Sequence, residues 1–360
     1  MHENQEETLH ATRDEVFSGP VFLHSSWRTS STWLWQRFRQ LPNTLCFYEP
    51  FHEMLPTISR QTASTFGADS WRSGHAQTAP YFFEYIPMIR RGRGVRLHQR
   101  PFSYDWFIPQ GGLTGSMRRD EIRYVALLIR AARRTGRVPV LGFTRSLGRI
   151  TPLKALFGGF NLFLLRNLWG QWMSVLDQRR KGGDSVFFYN VIRVIADQAE
   201  DRFLSDIHNF YFRRCVELAG KHGVLAQLAN LPAAQFIRIV FDLLPEGEMF
   251  EMFVAVHLYL YLHASFTADF ILDSTEMSRN PDYRHHCEAE VRQATGLAVD
   301  FSGSRQETLH VEMIKGTIDW QRIRQHARLA VAALEAHHDR AALDRLADRL
   351  ISATIAEARI

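Results

Sequence analysis

Near its start the chain places a short apolar run ahead of a turn made almost entirely of hydroxyl and cationic side chains. The apolar run spans residues 20–23, the turn from Ser25 to Thr32 reads SSWRTSST, and an amphipathic segment begins at Trp33. A strand that turns into a helix points backbone N–H groups and the positive end of the helix dipole at one spot. Arg28 adds a fixed positive charge, and the hydroxyl groups add donors. The segment therefore predicts a binding site for a phosphorylated ligand.

An ordinary alternative fits the same pattern, namely a strand–turn–helix whose Ser and Thr residues cap the helix. A nucleotide-binding P-loop is excluded in its usual form, because G-x-x-x-x-G-K-[ST] needs Gly and Lys and residues 21–40 contain neither. The turn is thus either a different kind of phosphate cradle or a simple helix cap.

A second segment with chemical potential is the continuous apolar run over residues 160–166, which ends in Arg166. Such a run is typical of a strand buried on both faces of a parallel sheet. A helical pattern follows over 167–180, so Ser174 lies about two turns into that helix. Arg166 and Ser174 can therefore converge on one phosphate, although a lone Arg at a strand end is commonly only solvated.

The turn resembles the 5′-phosphosulfate loop of the sulfotransferases that use 3′-phosphoadenosine 5′-phosphosulfate (PAPS). That loop has the pattern [KR]-[ST]-G-[ST]-T-W-L, and the stretch from Arg28 to Leu34 departs from it only at Ser30, which takes the place of Gly. Because Gly adopts backbone dihedrals that Ser disfavours, this difference bears on the shape of the loop.

The second segment is similar to the 3′-phosphate motif of the same family, R-[ND]-P-x-x-x-x-x-S-x-x-x-x-R. Arg166, Asn167, Ser174 and Arg179 fit it at the same spacing, with Leu168 in the place of Pro. Later in the chain, the segment MIKGTIDW at 313–320 is similar to R-K-G-x-x-G-D-W, with one spacer residue missing.

The resemblance implies a PAPS-dependent sulfotransferase of the carbohydrate-type or bacterial kind, acting by in-line sulfuryl transfer to a hydroxyl group without a metal. It implies that Arg28 stabilises charge on the oxygen that bridges sulfur and the 5′-phosphate. For the remaining cosubstrate contacts it implies Thr29, Ser30, Ser31, Thr32 and Trp33 at the 5′ side, and Arg166, Ser174, Lys315 and Gly316 at the 3′-phosphate. For Trp33, burial beneath the loop and stacking on adenine are both open, and burial is favoured.

A hydroxyl acceptor calls for a general base, and Glu49 follows a short predicted strand at 44–48. The carboxyl ends of the strands in such a sheet open on the ligand crevice, and an E-P pair after the second strand is similar to carbohydrate-type sulfotransferases. Glu49 is the first candidate for the base, His52 the second and His24 the third. The alternative for Glu49 is a purely structural ion pair with an arginine of the loop after the first strand.

Strands and helices alternate along the chain, which predicts a parallel, doubly wound α/β sheet. The resemblance refines this prediction to the P-loop-NTPase-like sulfotransferase fold. We expect one domain over 17–320 with a large helical cap at about 186–267, and a C-terminal helical extension over 321–360 packed on it. The predicted strands are 20–23, 44–48, 138–143, 160–166 and 270–273. The predicted helices are 33–40, a short one near 81–89, 116–134, 167–180, 281–296 and one or two over 322–360.

Composition limits the other possibilities. With 360 residues, 46% of them hydrophobic, the chain can bury a large core, and a net charge of +5 suits a polyanionic ligand without the basic tract expected for nucleic acid. Three cysteines give no disulfide framework. The N-terminal residues show no apolar signal core, and the stretch 252–266 is predicted to be a buried helix too short to span a bilayer, so a cytoplasmic location is expected.

Two further functions are open at this stage. A nucleotide-dependent kinase or other phosphotransferase would use the same kind of sheet, but it needs a P-loop Lys and a Mg²⁺-binding Asp. A non-catalytic nucleotide-binding protein would keep the fold without turnover. The acceptor, a small molecule or carbohydrate, and the oligomeric state are not specified by the sequence.

Overall fold

The computed structural model describes residues 19–67, 79–182, 186–198, 200–223, 239–304 and 318–359. Five strands within these ranges form one sheet in which all neighbouring strands are parallel, as the alternation of elements predicts. The strands are β1 (Val21–His24), β2 (Thr44–Tyr48), β3 (Val138–Phe143), β4 (Phe160–Leu165) and β5 (Phe270–Asp273).

Helices surround this sheet and dominate the second half of the chain. Those with defined bounds are α1 (Ser31–Arg39), α2 (Arg60–Thr65), α3 (Arg119–Arg133), α4 (Ile150–Phe157), α5 (Leu168–Gly182), α6 (Val186–Ala196), α7 (Arg202–Lys221), α8 (Glu246–Thr267), α9 (Ser274–Arg279), α10 (Pro281–Thr295), α11 (Trp320–Leu334) and α12 (Arg340–Arg359). Short 3₁₀ helices lie at Phe83–Met88, Arg100–Phe102 and Leu147–Arg149.

The strand order is β2-β3-β1-β4-β5, which places β1 at the centre of the sheet. The chain leaves β1 towards β2 on one side, whereas it leaves β4 towards β5 on the other side. In an open parallel sheet, ligands bind beyond the carboxyl ends of adjacent strands whose connections diverge in this way. The predicted crevice therefore lies above β1 and β4, where the turn containing Arg28 and the strand end containing Arg166 both emerge.

Helix α8 is the central element of the helical half. Nearly all of its residues from Met249 to Ala264 are buried, and it packs against α5, α6, α7, α11 and α12. Among the described residues it is the one helix long and apolar enough to cross a membrane, but 89% of its apolar window is buried inside the protein. The prediction of a buried helix is confirmed, while its predicted length was wrong, because the helix has 22 residues.

Other boundaries differ modestly from the predictions. Strand β1 ends one residue later, at His24, and β4 ends at Leu165, so that Arg166 follows the strand. Helix α3 begins at Arg119 instead of residue 116. Helix α4 was missed because its eight residues carry Pro152 and no side-chain cap, although Pro is tolerated in the first turn of a helix.

A fully buried ion pair fastens α3 to the segment after β3. Arg149 Nε lies 2.8 Å from Glu121 Oε1, and the two side chains are 0% and 1% exposed. The other Glu121 oxygen accepts a hydrogen bond from the backbone N–H of Arg118 at 3.0 Å, which caps the helix. The guanidinium of Arg149 also donates to the carbonyl oxygens of Arg145 and Phe102. Arg149 thus fixes the chain immediately beyond the carboxyl end of β3.

We predict that Glu121→Gln destabilises the protein by about 3–5 kcal/mol, because it leaves the buried charge of Arg149 without a partner. The free energy of unfolding from denaturant titration measures this loss. The control is the half-exposed neighbour Asp120 on the same helix, for which Asp120→Asn keeps an acceptor for Gln99 and should change stability by less than about 0.5 kcal/mol. Equal losses in the two variants would show that the buried pair is not a structural anchor.

Candidate functional site

The turn after β1 is held from several sides by buried groups. Ser25 donates its hydroxyl to the carbonyl oxygen of Phe143 on β3. Ser26 Oγ lies 2.7 Å from Nε2 of His257, a buried residue of α8. Since Nδ1 of His257 lies 2.8 Å from the carbonyl oxygen of Phe253, that nitrogen is the donor and Nε2 accepts from Ser26. The sheet and the central helix therefore both position the turn.

The second half of the turn is held by the helix after β4. Gln171 Nε2 on α5 donates to the carbonyl oxygen of Trp27 at 2.6 Å, and Tyr261 on α8 donates to the Gln171 side-chain oxygen at 2.7 Å. Arg166 Nη1 donates to the carbonyl oxygen of Arg28 at 2.7 Å. With its carbonyl groups occupied by these donors, the turn has a defined orientation relative to α1.

The backbone of the turn adopts unusual dihedrals at two positions. Arg28 has φ 65° and Ser30 has φ 70°, in the left-handed region that side-chain-bearing residues seldom occupy. Ser30 is the N-cap of α1, and its side chain makes no capping hydrogen bond. The first N–H groups of an α-helix have no partner within the helix, so those of α1 are presented at the carboxyl edge of the sheet. Ser30 stands at the position where the resembled motif has Gly, the residue that adopts a left-handed conformation without strain.

The two cationic side chains of the predicted motifs meet at this edge. Arg28 Nε donates to Ser174 Oγ at 2.9 Å, and its guanidinium carbon lies 5.2 Å from the centre of the Phe187 ring on α6. Arg166 is 7% exposed, and its Nε is buried with no hydrogen-bond partner among the described residues. Burial and the nearby charge of Arg28 lower the pKa of Arg166 to about 10. An anion bound between these cations would offset both the burial of the Arg166 charge and its repulsion by Arg28.

The remaining residues of the first motif differ in which of their groups, backbone or side chain, a ligand can reach. Thr29 is fully buried, and its hydroxyl donates to the carbonyl oxygen of Ser26, so only its backbone can serve a ligand. Ser31 begins α1, and the hydroxyl of Thr32 lies 3.0 Å from that of Tyr48. Trp33 is 7% exposed and packs near Phe301, which supports the burial role over stacking on adenine.

Asn167 has a clear local role. Its side-chain oxygen accepts the backbone N–H groups of Trp169 at 2.9 Å and Gly170 at 3.4 Å, which caps the start of α5. Arg179 lies near the end of α5, 3.8 Å from Asp242, and not beside Arg166. Lys315 and Gly316 lie outside the described residues.

Glu49 lies at the carboxyl end of β2 with a φ of 47°, and its side chain is 4% exposed. Its Oε2 accepts the backbone N–H of Thr144 at 3.1 Å and Nη1 of Arg145 at 3.1 Å. Burial raises the pKa of Glu49, while the charge of Arg145 and the hydrogen bonds from Thr144 act against this rise. A carboxylate with a raised pKa beside a buried guanidinium suits a general base.

The two histidine candidates are less suited to proton transfer. Nδ1 of His52 accepts the backbone N–H of Met54 at 3.1 Å, and burial lowers the pKa of His52 to about 4. The two ring nitrogens of His24 contact Ser146 Oγ at 2.7 Å and Asn161 Oδ1 at 3.2 Å within the sheet edge. His24 is fully buried and its pKa is lowered to about 4 by burial. The geometry therefore favours Glu49.

Several residues of the site were not predicted as such. Arg145 was not predicted as a site residue, although a charged residue two positions beyond a buried strand is itself a signal. Gln171, His257 and Tyr104 carry no motif, and their contacts join positions far apart in the sequence. Among the described residues, no cluster of His, Cys, Asp or Glu has a metal-binding arrangement.

Comparison with known proteins adds no assignment. No family model matches the chain, and neither curated proteins nor solved structures give a match. The fold and the geometry of the site are therefore the basis for any statement about function.

We predict that Ser30→Gly leaves the protein equally stable or stabilises it by up to about 1 kcal/mol, because Gly adopts the left-handed conformation without strain. The matched control is Ser31→Gly at the first residue of α1, which has no left-handed dihedral to relieve and should destabilise by roughly 0.5 kcal/mol or less. Melting temperatures and denaturant unfolding of the two variants provide the test. A large loss for Ser30→Gly would contradict the conformation described for the turn.

Proposed function

We propose that this protein is a PAPS-dependent sulfotransferase built on a P-loop-NTPase-like sulfotransferase fold. The observation that supports this most is the meeting of its two phosphate motifs. Arg28 and Ser174 are 146 positions apart in the sequence, yet their side chains are hydrogen-bonded, and Arg166 donates to the backbone of the same turn. A chance resemblance of two separate segments would not be expected to bring their cationic side chains into contact at the point where the strand connections diverge.

The crevice offers donors suited to a doubly phosphorylated nucleotide. The N-terminus of α1, with Ser31 and Thr32, would hold the 5′-phosphate through N–H groups and hydroxyls. Arg166 and Ser174 would hold the 3′-phosphate through charge-assisted hydrogen bonds. Arg28, which lies between these positions, would change its contact with Ser174 for one with the ligand. PAPS supplies the sulfuryl group, and its product is 3′,5′-bisphosphoadenosine (PAP).

Sulfuryl transfer requires little covalent chemistry from the protein. The group is planar and electron-poor in transit, with the attacking and leaving oxygens in line, so catalysis consists of positioning and neutralisation of charge. Arg28 would stabilise the charge that develops on the leaving oxygen, and it cannot act as a proton donor because its guanidinium stays protonated. Glu49 would remove the proton from the acceptor hydroxyl. The acceptor we propose is a small molecule or a carbohydrate, and the location we propose is cytoplasmic.

We predict that PAP binds in the micromolar range and raises the melting temperature, as a ligand selective for the folded state must. Arg166→Ala should weaken PAP binding by roughly 1.5–3 kcal/mol, because it removes a charge-assisted contact. Arg123→Ala is the charge-matched control, since Arg123 lies exposed on α3, and it should leave PAP affinity unchanged.

Titration calorimetry of PAP with the parent and both variants decides this prediction. Parallel melting curves with ATP and Mg²⁺ address the kinase hypothesis. A shift with ATP and Mg²⁺ but none with PAP would rule out the proposed function. Equal PAP affinity in Arg166→Ala and the parent would show that the 3′-phosphate lies elsewhere.

We predict that Glu49→Gln lowers sulfuryl transfer on the order of 10²–10⁴-fold while PAP affinity changes little, because the amide keeps the size but cannot accept the proton. His52→Gln is the comparison, and it should retain most of the turnover, since the acceptor nitrogen of His52 is already bonded to Met54. Rates are measured as PAP released from PAPS with water or a tested alcohol as acceptor. Near-parental turnover in Glu49→Gln would assign the base elsewhere.

A further inference from the structure

Arg145 is a buried cation that lies directly beside the proposed base. It follows β3 by two residues and is 3% exposed. Its Nη1 donates to Glu49 Oε2 and to Thr144 Oγ1, and its Nη2 lies 2.7 Å from Glu53 Oε2 and donates to the Tyr104 hydroxyl at 3.2 Å. One guanidinium therefore joins the segment after β2 to the segment after β3.

The plane of that guanidinium is fixed by aromatic rings as well. Its central carbon lies 5.7 Å from the centre of the Trp27 ring in the turn after β1, and 5.4 Å from that of Tyr104. Tyr104 in turn donates its hydroxyl to Asn190 Oδ1 on α6 at 2.7 Å. Contacts from the segments after β1, β2 and β3, supported by α6, thus determine where the Nη atoms of Arg145 point.

The carboxylate of Glu49 is held asymmetrically as a result. Both N–H donors that reach it, from Thr144 and Arg145, bind Oε2, and no N–H group of the described residues donates to Oε1. The backbone cannot readjust easily, because Glu49 N donates to the carbonyl oxygen of Gly142 at 2.7 Å and its φ is left-handed. Oε2 is thus anchored by both N–H donors, and the side chain of Thr144 also hydrogen-bonds to the carboxylate.

We propose that Arg145 is the positioning residue of Glu49: its guanidinium holds Oε2, so that Oε1 takes the proton of the acceptor hydroxyl. The inference rests on the proposed function and deepens it. Arg145 does not itself react; it fixes the orientation of the reacting side chain, Glu49. Two properties of Arg145 are involved, its charge and its planar fork, and they can be separated by substitution.

The direction of the charge effect follows from the neighbours. The positive charge of Arg145 opposes the rise in the pKa of Glu49 that burial causes. Its removal would therefore shift ionisation of Glu49 to higher pH, and the negative charge of Glu53 would act in the same direction. The other titratable or charged groups packed around the pair are His52, Tyr48, Tyr85, His98, Tyr104, Arg149 and Arg193.

The test measures ionisation of Glu49 directly, so that it does not depend on a known acceptor. Infrared difference spectra between the parent and Glu49→Gln, recorded across pH, isolate the carboxyl band of Glu49. The difference between proteins without and with Glu49→Gln is recorded again with Arg145→Gln present in both, and once more with Arg145→Lys present in both. The control is Arg193→Gln, because Arg193 lies 4.3 Å from the Tyr104 ring and pairs with Asp105 and Asp197 but does not contact Glu49.

Turnover supplies the second readout, with PAPS as donor and water as acceptor. A bond forms between the water oxygen and sulfur, the bond from sulfur to the 5′-phosphate oxygen breaks, Glu49 takes the proton, and PAP leaves. We expect Arg145→Gln to shift Glu49 ionisation to higher pH and to lower turnover about 10²-fold at neutral pH. Arg145→Lys should keep the parental ionisation but lower turnover about 10-fold or more, because the fork is lost. Arg193→Gln should change neither.

Three results would overturn the inference. They are unchanged Glu49 ionisation in Arg145→Gln, parental turnover in Arg145→Lys, and an equal effect of Arg193→Gln. If Arg145→Gln does not fold, Arg145→Lys still tests the inference. Its turnover should fall while its PAP affinity stays within about two-fold of the parent. Failure of the proposed function gives a different result, because the parent itself would then neither bind PAP nor consume PAPS.

Discussion

The turn after β1 is held in a conformation that its own sequence does not favour, and the site depends on that constraint. Left-handed dihedrals at Arg28 and Ser30 cost free energy and persist only because the surroundings impose them. The surroundings here are buried polar groups from β3, α5 and α8, which occupy the hydroxyl groups and carbonyl oxygens of the turn. With its carbonyls engaged, the turn presents N–H groups at the start of α1, and these are what an anion requires.

The charged side chains at the carboxyl edge of the sheet fall into two regions. Above β1 and β4, burial and the nearby charge of Arg28 lower the pKa of Arg166, and Ser174 is a neutral hydrogen-bond partner of Arg28. Above β2 and β3, Arg145 is matched by Glu49 and Glu53. In the proposed function the first region binds the anionic ligand, whereas in the second region two carboxylates face one guanidinium. Trp27, in the turn itself, lies against Arg145 and joins the two regions.

Much of the sheet could be predicted from the sequence because its inner strands β1, β3 and β4 are buried on both faces. Continuous apolar runs gave the bounds of β2, β3 and β5 to the residue, and Arg166 was expected at the end of β4. The site could be predicted only where its residues are local in sequence, as in the turn. The contact of Arg145 with Glu49 spans 96 positions, and no periodicity or propensity encodes such a pair.

The helical half shows the same limit. A buried helix was evident from its apolar run, but His257 within it contacts Ser26 across 231 positions, and only the packing of α8 against the sheet reveals that contact. Its polar residues therefore had no interpretation from sequence, although they support the turn.

The placement of a bisphosphorylated nucleotide is the central claim, and a crystal structure of the complex with PAP tests it most directly. The account predicts density for the 5′-phosphate against the backbone N–H groups at the start of α1, and for the 3′-phosphate within hydrogen-bond distance of Arg166 and Ser174. PAP bound away from the carboxyl ends of β1 and β4, or bound there with its two phosphates exchanged, would contradict the account.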